Sequence, residues 1–147
     1  MRIAIAADHN GLDLKAALLD WLVVRGHRVE DLGTHSTAVV DYPALCQAVG
    51  NRVSSGTADF GIVIGGSGQG EVIACNKLRG IRAGLCHTPF ATEVSRGHND
   101  ANVMVLGAKV INAQTAVQLL DLWMSTAFKG GVHQDRIDQI SRLEDTP

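Results

Sequence analysis

At 147 residues with 46% apolar and 19% charged side chains, the chain has the length for one domain with a real core and the composition of an ordinary soluble globular protein. A net charge of −2 without a basic run argues against nucleic acid as the main partner. No apolar stretch approaches the ~20 residues of a membrane span. Residues 3–7 read as a short apolar strand that ends in the polar turn Asp8-His9-Asn10-Gly11. Leu12, Leu14, Leu18, Leu19, Leu22 and Val23 then recur at helical spacing, with Gly26 after the last of them as the stop. A second strand is expected at 29–32, then a polar loop over 33–41 closing with Asp41-Tyr42-Pro43. Pro43 suits the first turn of a helix that carries Leu45, Val49 and Val53 and reaches Ser54. The third strand is the run 60–64, followed by the loop Gly65-Gly66-Ser67-Gly68-Gln69-Gly70-Glu71 and a helix from Val72.

Residues 81–86 read as a fourth strand. Thr88-Pro89 opens a short helix, with Thr88 as cap and Pro89 at the first helical position, ending near Arg96-Gly97. The polar cluster His98-Asn99-Asp100-Ala101-Asn102 leads into a fifth strand at 103–106, which Gly107-Ala108-Lys109 leaves. A helix over 113–124, a loop over 128–132 and a final helix over 133–143 complete the chain. Strands alternating with helices predict an α/β fold, an open and mostly parallel five-stranded sheet covered on both faces. Ligands of such sheets sit beyond the carboxyl ends of the strands, where Asp8-His9, the glycine loop and Lys109 fall. One domain, 1–147, is expected.

The three cysteines, Cys46, Cys75 and Cys86, are odd in number and form no C-x-x-C pair, so they read as reduced thiols in a cytoplasmic protein. The N-terminus enters a strand directly, without the apolar region of a signal peptide. Six histidines show no metal-binding spacing, and neither G-x-G-x-x-G nor a P-loop is present, so no metal or other cofactor is expected.

The glycine loop carries the chemistry. Four glycines at a strand-to-helix junction bring backbone N–H groups close to a ligand, and the helix start adds partial positive charge. That is a site for a phosphate or a developing oxyanion. Glu71 on its rim is a candidate base, Asp8 and His98 are candidate acids, and Ser67 supplies a hydroxyl. His9, Lys109, His133 and Arg136 are candidate phosphate holders. A carboxylate beside an oxyanion site suits abstraction of a proton α to a carbonyl. Each residue also has a plainer use: Asp8 could cap the helix after it, Tyr42 could be packing, and Lys109 and Arg136 could be solvated charges.

Together Asp8-His9-x-Gly11, Asp41-Tyr42-Pro43, Gly66-Ser67-Gly68-x-Gly70, Asn76-Lys77, Gly80-Ile81-Arg82-Ala83 and His98-Asn99-x-x-Asn102 resemble the ribose-5-phosphate isomerase type B family, which also holds the galactose-6-phosphate isomerase subunits. The resemblance runs from residue 1 to about 143. It implies a Rossmann-like three-layer sandwich and metal-free aldose–ketose isomerisation of a sugar phosphate, first of all ribose 5-phosphate, through an enediol. It also implies a homodimer or homotetramer, with the helix at 133–143 at the dimer interface and sites drawn from two subunits.

Two forms of the base occur in this family: a cysteine at the place of Gly65, or glycine there and a glutamate just after the loop. This chain resembles the second form, making Glu71 the base and Cys75 a bystander. The resemblance assigns ring opening to His98, with Asp8 and Ser67 nearby. It gives the reacting oxygens to Asn99 and the N–H groups of Gly66, Gly68, Gln69 and Gly70, and the phosphate to His9, with Tyr42, Lys109, His133 and Arg136 in the substrate site. Lys109 and Val132 stand where many members carry arginine, which leaves a tetrose, another pentose or a hexose phosphate as alternative substrates. A sugar-phosphate binding protein without catalysis is the other alternative.

Overall fold

Strands that read as near-continuous apolar runs must be buried on both faces, which requires helices above and below the sheet. In the computed structural model, which describes residues 1–145, the elements are β1 (Arg2–Ala7), α1 (Leu12–Val24), β2 (Arg28–Asp31), α2 (Tyr42–Ser54), β3 (Phe60–Gly65), α3 (Gln69–Cys75), β4 (Ala83–Leu85), α4 (Pro89–Gly97), β5 (Val103–Gly107), α5 (Ala113–Ser125) and α6 (Val132–Leu143). The strands form one sheet in the order β2-β1-β3-β5-β4, and every pairing is parallel rather than merely most of them.

Alternate residues of β1, β3 and β5 feed two cores. Ile3, Ile5, Ile62, Ile64, Met104 and Leu106 point to one face, where they meet Leu18 and Leu22 of α1 and Leu120 and Trp123 of α5. Ala4, Ala6, Val63, Val103 and Val105 point to the other, against Cys46 and Val49 of α2 and Cys75 of α3. Trp123 is fully buried, donates its indole N–H to Ser95 Oγ at 3.1 Å and meets the Phe60 ring edge-on at 4.9 Å.

The predicted elements are all present, with shifts that have local causes. α3 begins at Gln69, not 72, because Gly68 at φ +78° makes a left-handed turn and Val72 N–H already donates to Gly68 O at 3.0 Å. β4 is shorter than expected. At its amino end side chains replace the ladder: Asn76 Oδ1 accepts from Ala83 N–H and Asn102 Oδ1 from Arg82 N–H, both at 2.8 Å. α6 starts at Val132, one residue early. Thr88 caps α4 as expected, its hydroxyl accepting from Ala91 N–H at 3.2 Å. Asp8 does not cap α1; that place belongs to Gly11, without a side-chain bond.

Candidate active site

The sheet reverses its strand order between β1 and β3, so their carboxyl ends flank the crevice where open α/β sheets bind ligands. Asp8 follows β1 and the glycine loop follows β3. Among the described residues, the N–H groups of Gly66, Ser67 and Gly68 donate to no protein acceptor, which leaves them for a ligand. Ser67 Oγ accepts from Gln69 N–H at 3.2 Å, and both side chains are exposed on the rim.

Glu71, in the first turn of α3, folds its side chain back under the loop and is only 3% exposed. Its carboxylate occupies the space that Gly65 leaves empty: a Cβ on residue 65 would collide with Glu71 Oε1, Cδ and Oε2. Residue 65 can carry a side chain or residue 71 can place a carboxylate there, but not both. Burial raises the Glu71 pKa above the ordinary carboxylate range, and the negative charge of Asp8 adds to the shift, although Glu71's own N–H counteracts part of it. A raised carboxylate pKa brings a general base closer to the working pH. Gly65→Ala should therefore expel the carboxylate and cut kcat by roughly 10–100-fold, the scale of an ångström-sized misplacement. Equal kcat for Gly65→Ala and the parent would show that the carboxylate works from elsewhere.

Asp8 is 5% exposed, and its two oxygens accept from Asn10 N–H at 2.8 Å and Asn10 Nδ2 at 3.2 Å. Asn10 also approaches His9 Nε2 at 3.4 Å and lies beside Gly66, so it belongs to this group although its residue type alone did not mark it out. His9 Nδ1 accepts from Val40 N–H at 3.4 Å. The Tyr42 ring lies over Gly70, where a Cβ would strike the phenol hydroxyl. Lys109 donates its N–H to Gly66 O at 2.9 Å, and its side chain runs past the loop. Asp8, His9, Tyr42, Ser67, Gln69, Glu71 and Lys109 thus gather at one edge of the sheet.

His98, Asn99, His133 and Arg136 do not join them. α4 begins after the carboxyl end of β4 and runs back along the sheet for nine residues, about 13 Å, before His98. Asn102 precedes β5 and its carbonyl accepts from Gly61 N–H at the start of β3. β3 is six residues long, so His98 and Glu71 lie on opposite edges, about 15–20 Å apart. Antiparallel α4 carries its C-terminus away from the loop. At that second edge the His98 and His133 rings stack at 4.1 Å. Slight burial lowers the His133 pKa, followed by the positive fields of His98, Arg136 and Lys129. Arg82 donates to Asn99 O at 3.1 Å and pairs with Asp100, holding the turn that presents His98 and Asn99. A groove of about 520 Å³ adjoins Asn99, with Ser95, Ile140 and Leu143 in its wall.

Cys75 is fully buried in the α2–α3 core against Cys46, and its thiol pKa is pushed far up by Cys46 and by burial. Such a thiol is inert.

The family model described as Ribose/Galactose Isomerase matches residues 3–140. The chain is 41% identical to Ribose-5-phosphate isomerase B of Escherichia coli K12 over 143 residues, 97% of this chain and 96% of that protein. Its structure superposes on that of Clostridium thermocellum Ribose-5-Phosphate Isomerase B with a TM-score of 0.97 at 43% identity, covering 99% and 98% of the two chains. It also matches Ribose-5-phosphate Isomerase B from Mycoplasma genitalium with bound Ribulose-5-phosphate, with a TM-score of 0.95 at 34% identity over 99% and 97% of the chains.

Proposed function

The chain belongs to the Ribose/Galactose Isomerase family, and from that premise we propose that Glu71 drives an enediol isomerisation in a site built by two copies of the chain. The reaction is aldose–ketose isomerisation of a sugar phosphate, ribose 5-phosphate to ribulose 5-phosphate. The observation that carries the mechanism is the buried Glu71 carboxylate, raised in pKa, seated in the room left by Gly65 beneath a loop with free N–H groups.

Glu71 takes the proton from C2 of the open-chain aldose. The C1 oxygen becomes the enediolate oxygen and is held by the loop N–H groups. The C2 hydroxyl gives up its proton as the C1 oxygen gains one, and Glu71 returns its own proton to C1. Asp8, fixed by Asn10, faces the sugar with Ser67 and Tyr42. His98 of a second copy opens the furanose ring, and Asn99 of that copy holds a reacting oxygen. His9 and Lys109 of one copy and His133 and Arg136 of the other hold the phosphate. The separation of His98 from Glu71 within one chain supports a homodimer at least. So does the half-covered α6, where Ile137 is buried while Ile140 and Leu143 are 46% and 70% exposed. Three buried free cysteines fit the reducing cytoplasm, and no helix of the described residues is long and apolar enough to cross a membrane.

The test is a panel of four- to six-carbon aldose and ketose phosphates assayed in deuterated water. Ribose 5-phosphate should give the highest kcat/KM, and recovered sugar should carry deuterium at the exchanged carbon. Sugar that never takes up deuterium, even in long incubations, would count against the enediol route. A higher kcat/KM for a tetrose or hexose phosphate would move the substrate.

A further inference from the structure

The second edge of the sheet holds a cation that the sequence pattern did not mark. Lys129 follows α5 in the connection to α6, and its backbone N–H donates to Gly97 O at 3.0 Å, tying it to the residue before His98. Its side chain runs along Gly97, with Cε 3.5 Å from where a Cβ would stand, and brings Nζ to 3.3 Å from His98 Nε2. His133, whose ring stacks on His98, feels the positive fields of both Lys129 and Arg136. Four groups that bear or accept positive charge therefore converge: His98, Lys129, His133 and Arg136. The carboxylate of Glu93 reaches Lys129 Nζ only at 4.0 Å, and both side chains of that pair are more than half exposed, so it neutralises little of the cluster.

Like charges held together need an anion between them to make the arrangement favourable. Val132 opens α6 with 55% exposure and offers no charge. We propose that Lys129 is a substrate-phosphate ligand of this half-site and supplies the positive charge that Val132 does not. The proposal rests on the isomerase reading above, in which His98 and His133 face the sugar phosphate bound at a second copy's glycine loop. Geometry favours it: residue 129 is tied to Gly97 in the connection and extends to His98, so its long flexible ammonium can reach an oxygen of a phosphate held by this cluster. A point charge is less demanding in orientation than a bidentate fork, and it suits a site assembled between two chains.

The experiment compares the parent protein, Lys129→Met and Lys129→Met/Val132→Arg at constant ionic strength, because screening alone would shift the result. Three quantities are read: kcat, KM for ribose 5-phosphate, and the inhibition constant of inorganic phosphate. Losing one charge-assisted contact should raise KM and the phosphate inhibition constant together by about 10–100-fold, with kcat within threefold of the parent. Adding arginine at 132 should recover most of both. A lower kcat with unchanged KM would overturn the proposal, since Lys129 would then act only through the His98 ring. Unchanged phosphate inhibition would overturn it equally. If the parent isomerises no sugar phosphate at all, the functional reading fails separately, and direct calorimetry of inorganic phosphate with parent and Lys129→Met still decides whether Lys129 binds the anion.

Discussion

Glu71→Gln should lower kcat by about 10²–10⁴-fold, the usual cost of losing a general base, while KM moves little because other residues hold the phosphate. The substitution keeps the length and shape that fill the space beside Gly65, so the loop and α3 keep their places. Stability should not fall with activity. Burial and Asp8 raise the Glu71 pKa, so the folded protein holds this proton to higher pH than the unfolded chain does. Between the unfolded value, about 4.3, and the raised folded value, the native state binds more protons, and stability declines as pH rises through that window. Above it the buried charge is a constant burden, which glutamine removes. At neutral pH the melting temperature of Glu71→Gln should therefore equal or exceed that of the parent. The same shift places the acid limb of the parent's kcat profile above the ordinary glutamate range, because only the deprotonated carboxylate accepts the sugar proton. If Glu71 were only a favourable charge at a helix start, its loss would instead cost about 0.3–1 kcal/mol of stability and leave turnover intact. Near-parental kcat with a lower melting temperature would sink the assignment.

The strands were legible because a parallel sheet buries both faces and writes itself as apolar runs such as Phe60 to Gly65. The helix stops at Arg25-Gly26 and the Thr88-Pro89 start were legible because capping and turn chemistry act within a few residues. The amino end of β4 was not, because Asn76 and Asn102 reach it from distant positions and replace ladder bonds with side-chain bonds. The glycine loop reads as an anion site from its composition alone. What it did not announce is that Gly65 is the seat of the Glu71 carboxylate, a contact between residues six apart whose side chain folds back through the first turn of α3. Asn10 and Lys129 were missed for a related reason. A polar residue in a turn and a lysine in a connection are ordinary features, and only folding brings one to Asp8 and the other to His98.

Mixing Glu71→Gln with His98→Ala should restore activity that neither variant has alone. In the proposed mechanism each by itself loses a catalytic group from every site, and each should fall by at least about 10²-fold. Within one chain the two residues lie on opposite edges of the sheet, because α4 runs antiparallel to the strands that end at the loop. If a site joins Glu71 of one copy to His98 of the other, a mixed dimer holds one site with both native residues and one with neither. Random pairing at equal amounts makes half of the dimers mixed, each with one working site of two, so about a quarter of the parental activity should return. The two variants are unfolded together and refolded, and the fraction of mixed dimer is counted by native mass spectrometry. Recovered activity should rise in proportion to that fraction and vanish when either variant is refolded alone. Mixed dimers present at the expected level but no more active than the average of the single variants would refute the shared site. An active monomer in sedimentation at assay concentration would refute it from the other side, since one chain cannot bring His98 to Glu71 without dismantling α4.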